Sequence, residues 1–263
     1  MLQSYIWDLD GTLLDSYGSI VTSLVDVARE TGAADTYDDI MKAVKLGAVS
    51  AYLRELAARR GMEYSELYRQ YRKISHERLG EITLMAGAIR TLEGLKRAGA
   101  SHFVYTHRGA STGPLLERLG LTGFFREIVT FEYGFQPKPS GEGAEYLVRR
   151  YGLEKDRTAY IGDRPLDVLC AKNAGIRAVL FRPEDSCVEP SGNEDLVIGH
   201  LEELLTLKDM ETQSAFTPSR ASLYSGAPVD GHPADRTQSH SPPAPSERRL
   251  QSRDSQTSAG NPG

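Results

Sequence analysis

Cysteine is nearly absent: the 263 residues contain two, Cys170 and Cys187. Two are too few for a disulfide framework or a cysteine-rich metal centre, and they fit a reducing, cytoplasmic compartment. Long apolar runs are missing as well. No window approaches the roughly 18 uncharged apolar residues of a membrane span. The opening SYIWDLD has no basic region leading into an apolar stretch, so no secretory leader is expected. Positive charge is not in excess either. A net charge of -5 gives no basic footprint for nucleic acid. Membrane and nucleic-acid partners are therefore not expected, and the length suffices for one or two domains with a real core.

From about Lys208 onward apolar residues run short too. Residues 208–263 are rich in Ser and Pro, carry equal numbers of acidic and basic side chains, and have Phe216 and Tyr224 as their only aromatics. Such a segment cannot bury enough apolar area to offset its ordering entropy. A disordered tail is expected, and recruitment of an unidentified partner is the role open to it.

Upstream, short apolar strands alternate with helices. Residues 4–10, SHFVYT (101–106), EIVTF (127–131), TAYIG (158–162) and RAVLF (177–181) read as strands. GAIRTLEGLKRAG, STGPLLERLG, SGEGAEYLVRRYG and RPLDVLCAKNAG read as helices that end at a glycine. This alternation implies right-handed βαβ units: an α/β fold with a Rossmann-like parallel sheet and helices on both faces. Residues 16–80 break the pattern. They contain amphipathic helices with apolar faces such as Ile20, Val21, Leu24, Val25 and Ala28, and no convincing strand. The expected organisation is an α/β core at 1–15 and 81–207, an inserted helical cap at 16–80, and the tail at 208–263.

The stretch YIWDLDGTLLDS (5–16) carries the first chemical signal. Residues two apart on a strand share a face, so if the first strand extends this far, Asp8 and Asp10 repel each other unless a cation or a shared proton intervenes. Gly11 lets the chain turn and present backbone N–H groups beside the acids. In open parallel sheets, sites form outside the carboxyl ends of the strands. Asp8, Asp10, Thr12, Thr106, His107, Arg108, Lys138, Asp163 and Asp167 are all expected there. Carboxylates from separate strand ends can converge on a hard cation such as Mg²⁺, and Lys138 with a hydroxyl can neutralise a phosphoryl group.

At these residues the sequence resembles the haloacid dehalogenase superfamily of phosphotransferases. DLDGTLLDS, the threonine of YTHR, the lysine of PKP and GDRPLD match its four motifs in order, and the resemblance covers residues 4 to about 207. Within the superfamily the chain looks most like the phosphoglycolate phosphatase-like hydrolases with an inserted helical cap. The resemblance implies a Mg²⁺-dependent phosphatase of a small phosphorylated metabolite. Asp8 is then the nucleophile that becomes an aspartyl-phosphate, and Asp10 the general acid and base. Thr106, His107 (through its backbone N–H) and Lys138 bind the phosphoryl oxygens. Asp8, the Asp10 carbonyl and Asp163 hold the metal, and Asp167 orients its waters or Lys138. His107 departs from the family, standing where many relatives carry asparagine.

Other readings of the same residues remain. A phosphomutase can use the same two acids, and an inactive fold could survive as a binding module. Arg108 and Arg164 read as supporting or solvent-facing residues, and Cys170 as helix packing. Lys42 and Lys45, three apart on a predicted helix, read first as solvated lysines; the alternative is contact with a second anionic group on the substrate.

Overall fold

The computed structural model describes residues 2–206; the expected tail at 208–263 lies outside the described residues. The chain runs β1 (Ser4–Trp7), β2 (Leu14–Asp15), α1 (Tyr17–Glu30), α2 (Tyr37–Leu46), α3 (Val49–Arg60), α4 (Tyr64–Glu77), β3 (Thr83–Leu84) and α5 (Ala88–Arg97). It continues through β4 (Ser101–Tyr105), α6 (Thr112–Arg118), β5 (Phe125–Val129), α7 (Glu142–Tyr151), β6 (Thr158–Gly162), α8 (Pro165–Ala174), β7 (Arg177–Phe181) and β8 (Leu196–Ile198).

Six strands form one sheet in the order β5-β4-β1-β6-β7-β8, and every neighbouring pair is parallel. The alternation of side chains along β1 divides the core. Tyr5 and Trp7 point into the layer that contains Leu92, Leu95, Leu115 and Leu116 of α5 and α6. Ile6 points the other way, into the layer of Ala144, Leu147, Val168 and Ala171 from α7 and α8. The expected α/β fold with helices on both sheet faces is thus the one observed. Because β1 lies between β4 and β6, the chain crosses to opposite sides of it, and the crevice at its carboxyl end is a topological switch point.

Helices α1–α4 pack around a third apolar cluster that includes Val21, Leu24, Ile40, Leu53, Leu56 and Leu67. They enter the chain between β2 and β3, which pair antiparallel as Leu14↔Leu84 and Asp15↔Thr83.

Three details differ from the sequence reading. β1 stops at Trp7 rather than running to residue 10, because the Leu9 carbonyl accepts the N–H groups of Thr12, Leu13 and Leu14 and curls the chain into a turn. β5 starts and ends two residues earlier than expected. β8, with only three residues at the sheet edge, is too short to show a periodicity. Among the described residues no helix is long and apolar enough to cross a membrane.

Candidate active site

The end of β1 is built by the turn that terminates it. The Asp8 N–H still donates to the Ile161 carbonyl of β6 at 2.9 Å, so its backbone belongs to the sheet edge. Three residues on, Gly11 adopts φ +81, and a Cβ there would lie 2.1 Å from the Tyr17 ring and 2.5 Å from Asp163 Oδ2. Glycine is required for the conformation and for the close approach alike. The turn also separates the two acids. Asp8 and Asp10 do not face one another as strand neighbours; each carboxylate meets its own cation.

Asp8 is buried and accepts from Lys138 Nζ at 2.8 Å. The same ammonium donates to Asp167 Oδ1 at 2.6 Å and to the Tyr160 hydroxyl at 2.9 Å. That hydroxyl in turn donates to the Tyr105 carbonyl at 2.6 Å. Three donors on nitrogen therefore meet three acceptors, which fixes Lys138 without rotational freedom. Burial lifts the Asp8 carboxyl to about 6 even though Lys138 pulls it down. Asp167 is buried as well, but its shorter bond to Lys138, the Arg164 charge and the Arg164 N–H at 3.1 Å hold it below the usual carboxylate range. Of the two, Asp167 is the more firmly ionised partner. Burial disfavours the Lys138 charge, yet Asp167 and Asp8 outweigh it and raise the lysine above its ordinary value.

Asp163, directly after β6, is fully buried, and burial pushes its carboxyl up to about 7. Carboxylate oxygens of Asp8, Asp163 and Asp167 lie within 4.8 Å of one another. Asp8 Oδ2 and both oxygens of Asp163 find no hydrogen-bond partner among the described residues. Buried carboxylate oxygens left unpaired are costly, and a hard cation with oxygen preference is the group that satisfies this donor set. Lys45, from α2, approaches it at 3.6 Å from Asp163 Oδ2, with its ammonium 4.6 Å from the centre of the Tyr17 ring. The first reading of Lys45 as a solvated lysine is thus corrected: its side chain is 12% exposed, while Lys42 is exposed.

On the other side, Arg108 grips Asp10 with a two-point fork, Nε to Oδ2 at 3.2 Å and Nη2 to Oδ1 at 2.5 Å. Burial would raise Asp10, but Arg108 wins and its carboxyl sits below the usual range. The Thr106 hydroxyl, buried at the end of β4, accepts the Arg108 N–H at 3.1 Å. His107 accepts the Lys138 N–H on Nε2 at 2.8 Å. Burial, reinforced by Lys138, pushes that imidazole down to about 3, so the ring is neutral with its proton on Nδ1. The His107 side chain thus braces the loop that carries Lys138.

The seven residues given roles by the resemblance, Asp8, Asp10, Thr106, His107, Lys138, Asp163 and Asp167, lie at this crevice. Sequence reading underrated four others. Arg108 and Arg164 face acids rather than solvent, with Arg164 4.0 Å from Asp8 and 3.9 Å from Asp167. Tyr160 orients Lys138, and Tyr17 walls Gly11. A signal existed for the arginines, since each follows a motif residue within two positions. The tyrosines have none, because either would serve equally well as core.

The family model described as haloacid dehalogenase-like hydrolase matches residues 5–181. The phosphoglycolate phosphatase of Agrobacterium fabrum is 33% identical over 183 residues, covering 66% of this chain and 78% of that protein. Pyrophosphatase PpaX of Bacillus velezensis is 28% identical over 175 residues, 65% of this chain and 79% of its own. In three dimensions, a HAD family hydrolase from Deinococcus radiodurans, solved with bound phosphate and sodium, superposes with a TM-score of 0.64 at 19% identity. It covers 77% of this chain and 93% of that one, a likeness of fold. With the family match spanning most of the chain and the acids of its motifs meeting at one sheet edge, the protein belongs to the haloacid dehalogenase-like hydrolases.

Proposed function

We propose that the protein is a Mg²⁺-dependent phosphatase that hydrolyses a small phosphorylated metabolite through an aspartyl-phosphate on Asp8. One observation carries the reading: Asp8 is buried with one oxygen anchored on Lys138 and the other, Oδ2, without a hydrogen-bond partner among the described residues, its nearest cation being Arg164 at 4.0 Å. A carboxylate held this way is aimed and ready to form a bond. Its oxygen attacks phosphorus, and the bond from phosphorus to the leaving oxygen breaks. Asp10 gives that oxygen its proton. In the second step Asp10 takes a proton from water, the water oxygen attacks phosphorus, and the bond to Asp8 breaks to release inorganic phosphate. Arg108 favours the ionised Asp10 with which the second step begins. Proton donation in the first step relies on the negative charge of the arriving phosphoryl group to outweigh the guanidinium.

The Thr106 hydroxyl and the His107 backbone N–H donate to the transferring oxygens, and Lys138, its three donors held by Asp8, Asp167 and Tyr160, binds them through its charge. Asp8, the Asp10 carbonyl and Asp163 would hold Mg²⁺, with Asp167 fixing Lys138; bound there, the ion offsets repulsion between Asp8 and the phosphate. Helices α1–α4 act as a cap, and the approach of Lys45 to Asp163 supports that placement. The relatives named as phosphoglycolate phosphatase and pyrophosphatase support a small substrate.

Hydrolysis of p-nitrophenyl phosphate should require Mg²⁺ and vanish in Asp8→Asn. Rapid acid quench with a phosphoryl-labelled substrate should leave label on the wild-type chain and none on the variant. Full turnover in an undeamidated Asp8→Asn protein excludes the mechanism.

A further inference from the structure

We propose that Arg164 is a further catalytic residue, a guanidinium that donates to the oxygens of the phosphoryl group as it passes from the ester to Asp8. The inference rests on the assignment of Asp8 as nucleophile and deepens it by adding a cation to the phosphoryl site.

Four cations stand at the crevice, and they are not equivalent. Lys138 has its three donors held by Asp8, Asp167 and Tyr160, so it reaches the phosphoryl group through charge alone. Arg108 spends one edge of its fork on Asp10. Lys45 comes from the cap and stands against Asp163 at 3.6 Å. Arg164 is as enclosed as the last two, with a side chain 10% exposed against 11% and 12%. Its guanidinium nevertheless donates no hydrogen bond among the described residues. The nearest acids stay at 4.0 Å (Asp8 Oδ2) and 3.9 Å (Asp167 Oδ2), and Nε is buried without a partner. A guanidinium carries five N–H groups in a rigid plane. Taken out of water and left unbonded, they are costly. An anion entering the gap offsets that cost.

The surroundings say which anion. Arg164 follows Asp163 at the end of β6, and its backbone is pinned there. Its N–H donates to Asp167 Oδ2 at 3.1 Å, its carbonyl accepts the Asp167 N–H at 3.0 Å, and Pro165 opens α8 beside it. From that anchor the side chain brings Nη2 to 4.0 Å from Asp8 Oδ2, the oxygen that attacks. Its charge bears on Asp163, on Asp10 and on the His107 ring alike, which places it centrally in the crevice. A phosphorus poised for attack stands about 3–3.5 Å from Oδ2. Its outer oxygens then come within hydrogen-bond reach of a donor 4.0 Å from the same atom. A planar fork matches two oxygens of a phosphoryl group, and charge on those oxygens is what the site must stabilise in the transition state. The leaving alcohol takes no part in this contact, so the contact serves every substrate equally.

The test reads two equilibria that need no turnover: binding of inorganic phosphate at saturating Mg²⁺, and binding of Mg²⁺ itself, both by titration calorimetry. Arg164→Met should raise the phosphate dissociation constant about 10- to 100-fold, the worth of charge-assisted hydrogen bonds. It should bind Mg²⁺ at least as tightly as wild type, because a cation beside Asp8 and Asp163 has gone. Arg164→Lys, which keeps the charge without the fork, should fall between for phosphate. In turnover, Arg164→Met should lose about 100- to 1,000-fold in kcat/KM, by the same factor for p-nitrophenyl phosphate and for an alkyl phosphate. Wild-type phosphate affinity in folded Arg164→Met overturns the proposal and leaves Arg164 a counter-ion of the acids. A loss of phosphate affinity matched by an equal loss of Mg²⁺ affinity overturns it too, since the site as a whole has then collapsed. If Arg164→Met does not fold by circular dichroism, Arg164→Lys decides: a phosphate dissociation constant raised about threefold or more supports the fork, and anything less overturns it. Failure of the underlying mechanism has a separate signature, turnover surviving in Asp8→Asn.

Discussion

Replacing Lys138 by methionine keeps most of the side-chain stem and removes the charge on which two buried acids depend. Asp8 and Asp167 are each 1% exposed at the side chain and bond the ammonium at 2.8 and 2.6 Å. After the substitution, Arg164 is the remaining cation near both, at 4.0 and 3.9 Å. One guanidinium at that range must then serve two carboxylates, with Asp163 close by. Stranding a buried ion in this way costs about 3–5 kcal/mol. For a folded region of this size the melting temperature should fall by roughly 6–20 °C, at about 2–4 °C per kcal/mol. The loss should depend on pH in a definite direction. A carboxyl whose folded pKa is raised binds protons that the unfolded chain does not, so protonation relieves the stranded charge. Relative to wild type in EDTA, the deficit of Lys138→Met at pH 7.5 should shrink by about half at pH 5.5. The double variant Lys138→Met/Asp167→Asn should recover part of it at pH 7.5. Scanning calorimetry at the two pH values decides the matter. A deficit below about 2 °C, or one equal at both pH values, would mean that the charge network is not what holds this corner, since a packing defect has no such proton linkage.

Three further outcomes are expected. In EDTA, lowering the pH from 8 to 6.5 should raise the melting temperature of wild type relative to that of Asp8→Asn/Asp163→Asn by about 2–4 °C, about 1 kcal/mol, as Asp163 (about 7) and Asp8 (about 6) take up protons. The absolute wild-type profile should be nearly flat over this range, because the buried His107 and His102, depressed to about 3 and about 4, cost stability as pH falls through the ordinary imidazole range of the unfolded chain; an unchanged difference between the two proteins from 8 to 6.5 contradicts the burial argument. Gly11→Ala should cost about 1–3 kcal/mol and at least tenfold in kcat/KM, since its Cβ meets Tyr17 and Asp163; wild-type denaturation and kinetics in this variant would show that the turn is not rigid. Lys45→Met should tighten Mg²⁺ binding by at least about threefold by removing a competing cation, read by titration calorimetry as a dissociation constant; unchanged affinity would detach Lys45 from Asp163.

The fold was legible wherever one element could be read from its own residues. Five strands of the main sheet, the helices that end at glycine and the clustering of the motif residues at the sheet's carboxyl edge all follow from local pattern plus the handedness of βαβ units. β8 was not legible, because three residues cannot display a period, and neither was the early end of β1, where a carbonyl of Leu9 that gathers three N–H groups overrides an apolar run. In the site, the types and order of Asp8, Asp10, Thr106, Lys138 and Asp163 were visible. Their partners were not. Arg108 and Asp10 are 98 positions apart, and Lys138 and Asp8 are 130 apart, so which cation serves which acid is settled only by strand order. The supposed clash of Asp8 with Asp10 dissolves for the same reason, each having found a distant counter-ion.

The two-rung ribbon of β2 and β3 has a consequence for how such chains diversify. Leu14–Asp15 and Thr83–Leu84 lie side by side, so the segment they bracket departs and returns through one narrow gate. The six-stranded sheet therefore never measures the length of what hangs between them. The entropy of closing a longer excursion grows only with the logarithm of its length, and the ribbon fixes the two ends in advance. Helices could be added, lost or exchanged beyond that gate while the acids at the end of β1 kept their places. Recognition and chemistry can in this way be revised on separate schedules.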